Sequence, residues 1–450
     1  MTLKRKGQSV DIRPPEDWRE VPLAGVVDVR FSGVDKLTFP SEEPVRLCNY
    51  IDVYKNDYIT SDLEFMRGSA TPAEIERFGL RVGDVIITKD SETPDDIGVP
   101  AVVDYAATDL VCGYHLGLLR TDRTQVDPTF LAKQLGHHRL ARYFGRQANG
   151  LTRYGLARAA VRNAPVWLPK LEEQVAIGCL ARLVDAAIAQ TEAVIAKLNQ
   201  VRAGLLHNLL TRGLDEYGQL RDPIARPEQF HDSPIGRIPR AWQFKQLKDL
   251  VPADRRITYG IVQPGHFDPN GVLLIRGQDY ISGWAVPDSF FRVTSSRHEA
   301  YRRSLTKAQD LLICIVGATT GAVAQVPSWI DEANITQTTA RIGCDASEIL
   351  PRFAFHVLRS DVGQKQVRRY IKGSAQPGLN LQDVEVFWMP VPQPEEQRTI
   401  ARILDCLGED VTTTETELTK LCYLKSGLIA DLCTGCVRVP DTLHPAEACV

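Results

Sequence analysis

Pro169-Lys170-Leu171-Glu172-Glu173-Gln174 returns as Pro392-Gln393-Pro394-Glu395-Glu396-Gln397, 223 residues further along the chain. Behind each Glu-Glu-Gln the correspondence continues without a gap: Ile177 with Ile400, Thr191 with Thr414, Lys197-Leu198 with Lys420-Leu421, and Gly204-Leu205 with Gly427-Leu428. Ahead of it, Pro15-Glu16-Asp17-Trp18 returns as Pro239-Arg240-Ala241-Trp242 at an offset of 224. A match of this length at a constant offset marks an internal duplication. The period is too long for a solenoid, so the repeated unit is a whole domain followed by a helix. Between the anchors the halves diverge, and three echoes survive. Gly83 to Ile87 resembles Gln309 to Ile313, Arg142-Tyr143 resembles Arg369-Tyr370, and Val45 to Asp52 can be laid on Val272 to Asp279.

Proline followed by Glu-Glu opens a helix, because proline presets φ and the carboxylates suit the positive end of the helix dipole. In the first copy Ile177, Leu180, Val184, Ala187, Thr191, Val194, Leu198, Val201 and Leu205 alternate by three and four; in the second, Ile400, Leu404, Leu407, Val411, Thr414, Leu418, Leu421 and Leu428 do the same. These are heptad seams. No proline interrupts Glu172 to Arg212 or Glu395 to Arg438. Each helix is therefore expected to reach about 60 Å. One apolar stripe of that length needs a partner, and the other copy is the obvious one, in an antiparallel coiled coil. The alternative is two separate amphipathic helices, each lying on its own domain. The seam and docking residues singled out are Ile177, Leu180, Val184, Leu198, Leu205, Ile400, Leu407, Leu421 and Leu428.

The expected class is α+β with an internal pseudo-twofold repeat. Residues 1–168 and 242–391 are two mixed α/β domains, 169–213 the central helix, 214–241 a connector, 392–438 the C-terminal helix and 439–450 a tail. Val85 to Thr88, Val272 to Ile275 and Leu311 to Val316 are strands by length and β-branching. Gly317 to Gly321 reads as a β-turn rather than a phosphate loop. Arginine and glutamine pair bidentately with guanine and adenine edges, and arginine and lysine hold phosphates. On that chemistry the candidate DNA-binding residues are Lys89, Arg146, Arg153, Arg276, Gln278, Arg341, Arg369, Lys372 and Gln376. Taken singly, each is more readily a solvated surface group than a base contact. Both copies, however, place such residues just before the long helix.

Composition narrows the class. Over 450 residues, hydrophobic side chains make up 44% and charged ones 24%, with a net charge of −3. This is an ordinary globular protein and not a histone-like electrostatic DNA binder. Neither a membrane-spanning run nor a secretory signal is expected, which points to the cytoplasm. Cys433 and Cys436 form a C-x-x-C without a second pair, so no metal site is expected. A DNA adenine methyltransferase needs an N/D-P-P-Y/F motif, and the only Pro-Pro here is Pro14-Pro15 after Arg13. A P-loop and a Glu-x-Lys nuclease signature are also lacking. The chain reads as non-catalytic and without a cofactor of its own.

The run Thr211 to Arg221 (T-R-G-L-D-E-Y-G-Q-L-R), then Asp232 to Pro239 (D-S-P-I-G-R-I-P) and Trp242, resembles the central conserved region of type I restriction–modification specificity (S, or HsdS) subunits. The paired P-x-x-E-E-Q-x-x-I helices resemble that family's conserved spacers, and the resemblance spans the chain. It implies two target recognition domains, each reading half of a bipartite, asymmetric site in double-stranded DNA. It implies helices that set the gap between half-sites, and docking of two methyltransferase subunits, which would carry S-adenosylmethionine, followed by restriction subunits. The alternatives are a stand-alone sequence-specific DNA-binding protein, or the module of a related defence system, and a coiled-coil scaffold that binds no DNA.

Overall fold

The computed structural model describes residues 13–373 and 376–440. It divides into two compact units, Met1–Ala193 with Thr416–Val450, and Val194–Glu415. The division follows the pairing of helices rather than the linear order of domains. Each unit holds one globular domain, one half of the central helix Leu171–Thr211 and one half of the C-terminal helix Pro394–Thr434.

The two units repeat one topology. In the first, an antiparallel sheet runs in the order Val27–Phe31, Leu116–Thr121, Val85–Thr88, Pro100–Val103, and Tyr58–Ile59 adds to its edge in parallel. In the second, Thr258–Tyr259, Thr339–Ile342, Leu311–Cys314 and Val323–Gln325 take the same order, and the sheet ends there. A smaller sheet accompanies each. Glu43–Cys48 pairs antiparallel with Met66–Ala70 and parallel with Leu110–Cys112. Val272–Ile275 likewise pairs antiparallel with Phe291–Val293 and parallel with Asn334–Ile335. A two-stranded ribbon closes each domain onto its long helix, Arg19–Pro22 with Pro165–Leu168 and Gln243–Gln246 with Trp388–Val391.

Alternation of side chains across a strand explains why the central strands are apolar throughout. Val85 and Ile87 enter one core and Ile86 another. Leu311 and Ile313 enter one core and Leu312 another. The turns before these strands also match. Gly83 has φ 92 and donates its N–H to Val103 at 2.9 Å; Gln309 has φ 69 and donates to Val326 at 2.8 Å. Gln309 is the only non-glycine with positive φ among the described residues, and it sits where the first copy has glycine. Gly317 to Gly321 is a turn closed by the Thr320 N–H on the Gly317 carbonyl at 3.0 Å, as expected.

Both long helices are 41 residues. In the first unit Glu173 meets Arg438 and Asp185 meets Lys425, so advancing along one helix retreats along the other. In the second unit Leu214, just past the end of the central helix, bonds Glu396 at the start of the C-terminal one, and Arg202 lines a cavity with Leu404 and Gly408, in the same sense. The pairing is antiparallel in each. Along the C-terminal helix all eight seam residues are buried or half-buried. The central helix departs from expectation in one respect. Its stripe runs Val184, Ile188, Thr191, Ile195, Leu198, Arg202, Leu205, Leu209, in strict four–three steps. Val194 and Val201 lie outside it, 49% and 38% exposed. The helical phase carries Ile195 and Arg202 inward in their place.

Candidate nucleic-acid interface and helix anchors

Each Glu-Glu-Gln does the same structural work twice. Gln397 Oε1 accepts the Leu350 N–H at 2.7 Å and its Nε2 donates to the Pro392 carbonyl at 2.9 Å. Gln174 Oε1 accepts the Asp127 N–H at 3.0 Å and its Nε2 donates to Pro169 at 3.0 Å. Asp127 and Leu350 are the N-caps of the helices Pro128–Gly136 and Pro351–Arg359, so each glutamine satisfies a cap N–H that precedes a proline. The second glutamate clamps the end of the opposite helix. Glu396 accepts from the Leu214 N–H at 2.7 Å, Arg221 at 2.6 Å and Trp242 Nε1 at 3.0 Å. Glu173 binds Arg438 through two contacts, 2.6 and 2.8 Å, and Arg438 also holds Asp17. The glutamates therefore do more than complement a dipole. Trp18 Nε1, at the position of Trp242 Nε1, is buried without a hydrogen-bond partner among the described residues.

Between the strands and the long helix each unit raises a short turn. Asn149 and Gly155 exchange backbone hydrogen bonds at 3.0 and 2.9 Å; Lys372 and Gly378 do so at 2.9 Å each way. The offset is 223 at both ends. Gly150, with φ 149, follows Asn149, and Gly373, with φ 84, follows Lys372. A Cβ on Gly150 would sit 1.9 Å from the Arg153 carbonyl oxygen, and one on Gly373 2.8 Å from that of Gln376. Only glycine tolerates both the positive φ and so close a backbone. The turns thus present Arg153 and Gln376, both exposed, at one and the same place.

The other sequence candidates fall in different settings. Lys89 precedes Asp90–Ser91, the strand that pairs with Tyr154–Gly155 at the first turn. Its Nζ lies 4.7 Å from the Tyr114 ring and 5.5 Å from the Phe31 ring, and Arg158 lies 5.9 Å from Phe31. Tyr114 is half exposed and escaped sequence reasoning; an aromatic residue two positions before a strand was its only signal. Arg146 is exposed at the end of the helix His138–Gln147, and Arg369 is exposed beside Tyr370. Lys372 is exposed but pairs with Asp383 at 3.0 Å. Gln278 is exposed. Arg276, next to it, is committed to Asp279 at 2.9 Å, in a turn where the Asp279 carboxylate also accepts the Arg276 N–H. Asp52 accepts the Asn49 N–H in the same way, so the aspartates aligned from sequence are one capping device.

Arg341 is a correction. It is 2% exposed, inside the strand Thr339–Ile342, and its guanidinium donates to the Arg256 carbonyl at 2.8 Å. Burial pushes its pKa down. A group so enclosed cannot reach a base or a phosphate.

Residues 239–421 match the family model described as the type I restriction modification DNA specificity domain. The chain is thus similar to type I restriction–modification specificity subunits, in the family model that its second half matches and in the relatives it aligns with. It is 28% identical over 324 residues to the type I restriction enzyme EcoBI specificity subunit of Escherichia coli, covering 70% of this chain and 67% of that relative. It is 23% identical over 439 residues to the putative type I restriction enzyme MjaX specificity subunit of Methanocaldococcus jannaschii, covering 94% and 95%. The crystal structure of a type I restriction–modification S subunit from M. genitalium shares the fold, with a TM-score of 0.55 at 16% identity over 98% of this chain and 100% of that one. Among the described residues no helix is long and apolar enough to cross a membrane.

Proposed function

We propose that this chain is a type I restriction–modification specificity subunit that reads a bipartite, asymmetric site in double-stranded DNA, one half with each globular domain. The observation that carries the reading is the paired turn. Two units of one topology put an arginine and a glutamine at the same position, and these side chains suit guanine and adenine respectively. A shared scaffold with different side chains at its tip is what two unlike half-sites require. Lys89, Arg146, Gln278, Arg369 and Lys372 then act chiefly on phosphates or at the rim.

The antiparallel helices, including Ile177, Leu180, Val184, Leu198, Leu205, Ile400, Leu407, Leu421 and Leu428, fix the gap between half-sites. Each unit joins the start of one helix to the end of the other through a Glu-Glu-Gln. Two like surfaces can take two copies of one partner while the chain stays a monomer. That partner is the methyltransferase subunit, which brings S-adenosylmethionine, with restriction subunits joining afterwards in the cytoplasm.

The test is duplex binding by the chain assembled with its methyltransferase subunit. Arg153→Ala should relax recognition in one half-site and Gln376→Ala in the other, each by about 1–3 kcal/mol of discrimination. Equal weakening of every sequence by either variant would mean phosphate contacts and would defeat the assignment.

A further inference from the structure

The two units differ at one equivalent place beside the helix pair, and the difference is chemical. In the first unit the segment Asp57-Tyr58 fills it. Asp57 accepts from Lys133 and Lys425, both at 2.8 Å, and the Tyr58 hydroxyl donates to Asp185 at 2.8 Å. Asp185 itself pairs with both lysines at 2.7 Å, and Arg182 pairs with Asp104 at 2.8 Å. Three cations face three carboxylates. The strand Tyr58–Ile59 that delivers this segment lies parallel to Val102–Val103.

At an offset of 223, Lys425 corresponds to Arg202, Lys133 to His356, Arg182 to Asp405 and Val102 to Gln325. Contacts support the correspondence: Arg182 donates to Thr129 at 2.9 Å, and Arg352, at the position of Thr129, pairs with Asp405 at 2.7 Å. Among the described residues the second unit has no strand in the place of Tyr58–Ile59, and Val323–Gln325 ends its sheet. A cavity of about 490 Å³ opens there, lined by Arg202, Arg352, Phe355, His356, Arg359 and Asp405, with Glu409 at its side. Phe355 lies between two guanidiniums, 4.6 Å from Arg352 and 5.1 Å from Arg359. Burial, Arg202 and Arg352 push the Arg359 pKa down, the mark of crowded cations. Burial likewise keeps His356 neutral, its pKa pushed down to about 4. Three arginines therefore face two carboxylates, one fewer than in the first unit.

We propose that this cavity and the open edge of Val323–Gln325 bind an acidic segment of a partner protein, a carboxylate followed by an aromatic residue. The segment adds as a short strand where Tyr58–Ile59 lies in the first unit, and its carboxylate meets Arg202 and Arg359. Strand addition to an exposed edge is an established mode of peptide recognition. Arg352, which donates to Gln325 at 3.0 Å, joins the edge to the cavity. Asp405 and Glu409 disfavour a phosphodiester backbone, which asks for an unbroken cationic track. The inference does not depend on DNA reading.

The probe is a fluorescent peptide carrying this chain's own Lys55 to Thr60, K-N-D-Y-I-T, titrated with the full-length protein by anisotropy. Saturable binding is expected. It should weaken about tenfold or more when the peptide's aspartate is replaced by asparagine, and by a similar factor in the Arg202→Ala/Arg359→Ala double variant, whose melting curve checks its fold. Absence of saturable binding would overturn the proposal. So would binding indifferent to the aspartate, or displacement of the peptide by inorganic phosphate or duplex DNA as readily as by unlabelled peptide, which would make the cavity a phosphate site.

Discussion

Gln397 Oε1 accepts the backbone N–H of Leu350 at 2.7 Å, tying the long C-terminal helix to the helix Pro351–Arg359. Gln397 is 1% exposed, and loss of its amide would take the acceptor away from the N–H of the half-buried Leu350. Gln397→Ala should cost about 1–3 kcal/mol, the penalty of an unsatisfied donor. Calorimetric melting should show the loss, and Gln174→Ala should show a comparable one. A melting temperature unchanged in both variants would contradict the anchor role.

Gln309 holds φ 69 where the first unit has Gly83 at φ 92. A left-handed backbone costs a non-glycine residue about 1 kcal/mol. Gln309→Gly should therefore stabilise the protein by up to about 1 kcal/mol, offset in part by the freer unfolded chain. Denaturant titration reads the sign. A destabilised variant would mean that the Gln309 side chain contributes more than its backbone strain removes.

His356 is buried against Asp405 at 2.7 Å, and burial, opposed by that carboxylate, pushes its pKa down to about 4. An unfolded histidine titrates near 6.5, so the folded protein favours the neutral ring. That stability is present above about pH 6.5 and is lost as pH falls towards 4, up to about 3 kcal/mol in the limit. His137, also pushed down to about 4 by burial and by His138, adds a parallel loss in the first unit. His356→Gln should flatten part of the slope of stability between pH 6.5 and 4 while leaving stability at pH 8 less affected. An unchanged slope would show that His356 does not titrate on unfolding.

A heptad inserted at matched positions in both long helices preserves the seam and adds about 10 Å of helix. The gap tolerated between half-sites should lengthen by about three base pairs at roughly 3.4 Å per pair. Duplexes with graded gaps read this out. An unchanged preferred gap would separate the helices from any measuring role.

Much of the architecture was legible because the duplication preserved what the fold needs twice. The Glu-Glu-Gln anchors, the helix length, the match of Gly83 to Gln309 and the aligned aspartates Asp52 and Asp279 all stand on paired positions. Hidden features have physical reasons. Arg202, Asp185 and Lys425 sit in or beside the helix stripe as charges, the last two paired with each other, and an apolar pattern passes over them. Val194 and Val201 drew the stripe one residue aside for the same reason. Arg341 looks like any surface arginine, since nothing local reveals that carbonyls from Arg256 and Arg303 enclose it. The matched turns bearing Arg153 and Gln376 share little sequence beyond a glycine and a closing Gly155 or Gly378, so only backbone geometry pairs them.

The most direct measurement is selection of bound duplexes from a random-sequence library by the chain assembled with the methyltransferase subunit proposed as its partner. Two unlike conserved blocks separated by a non-conserved gap of fixed length are expected, one block relaxing with Arg153→Ala and the other with Gln376→Ala. A single block, a gap of variable length, or no enrichment over random sequence would contradict a two-domain reader held at a set distance by its helices.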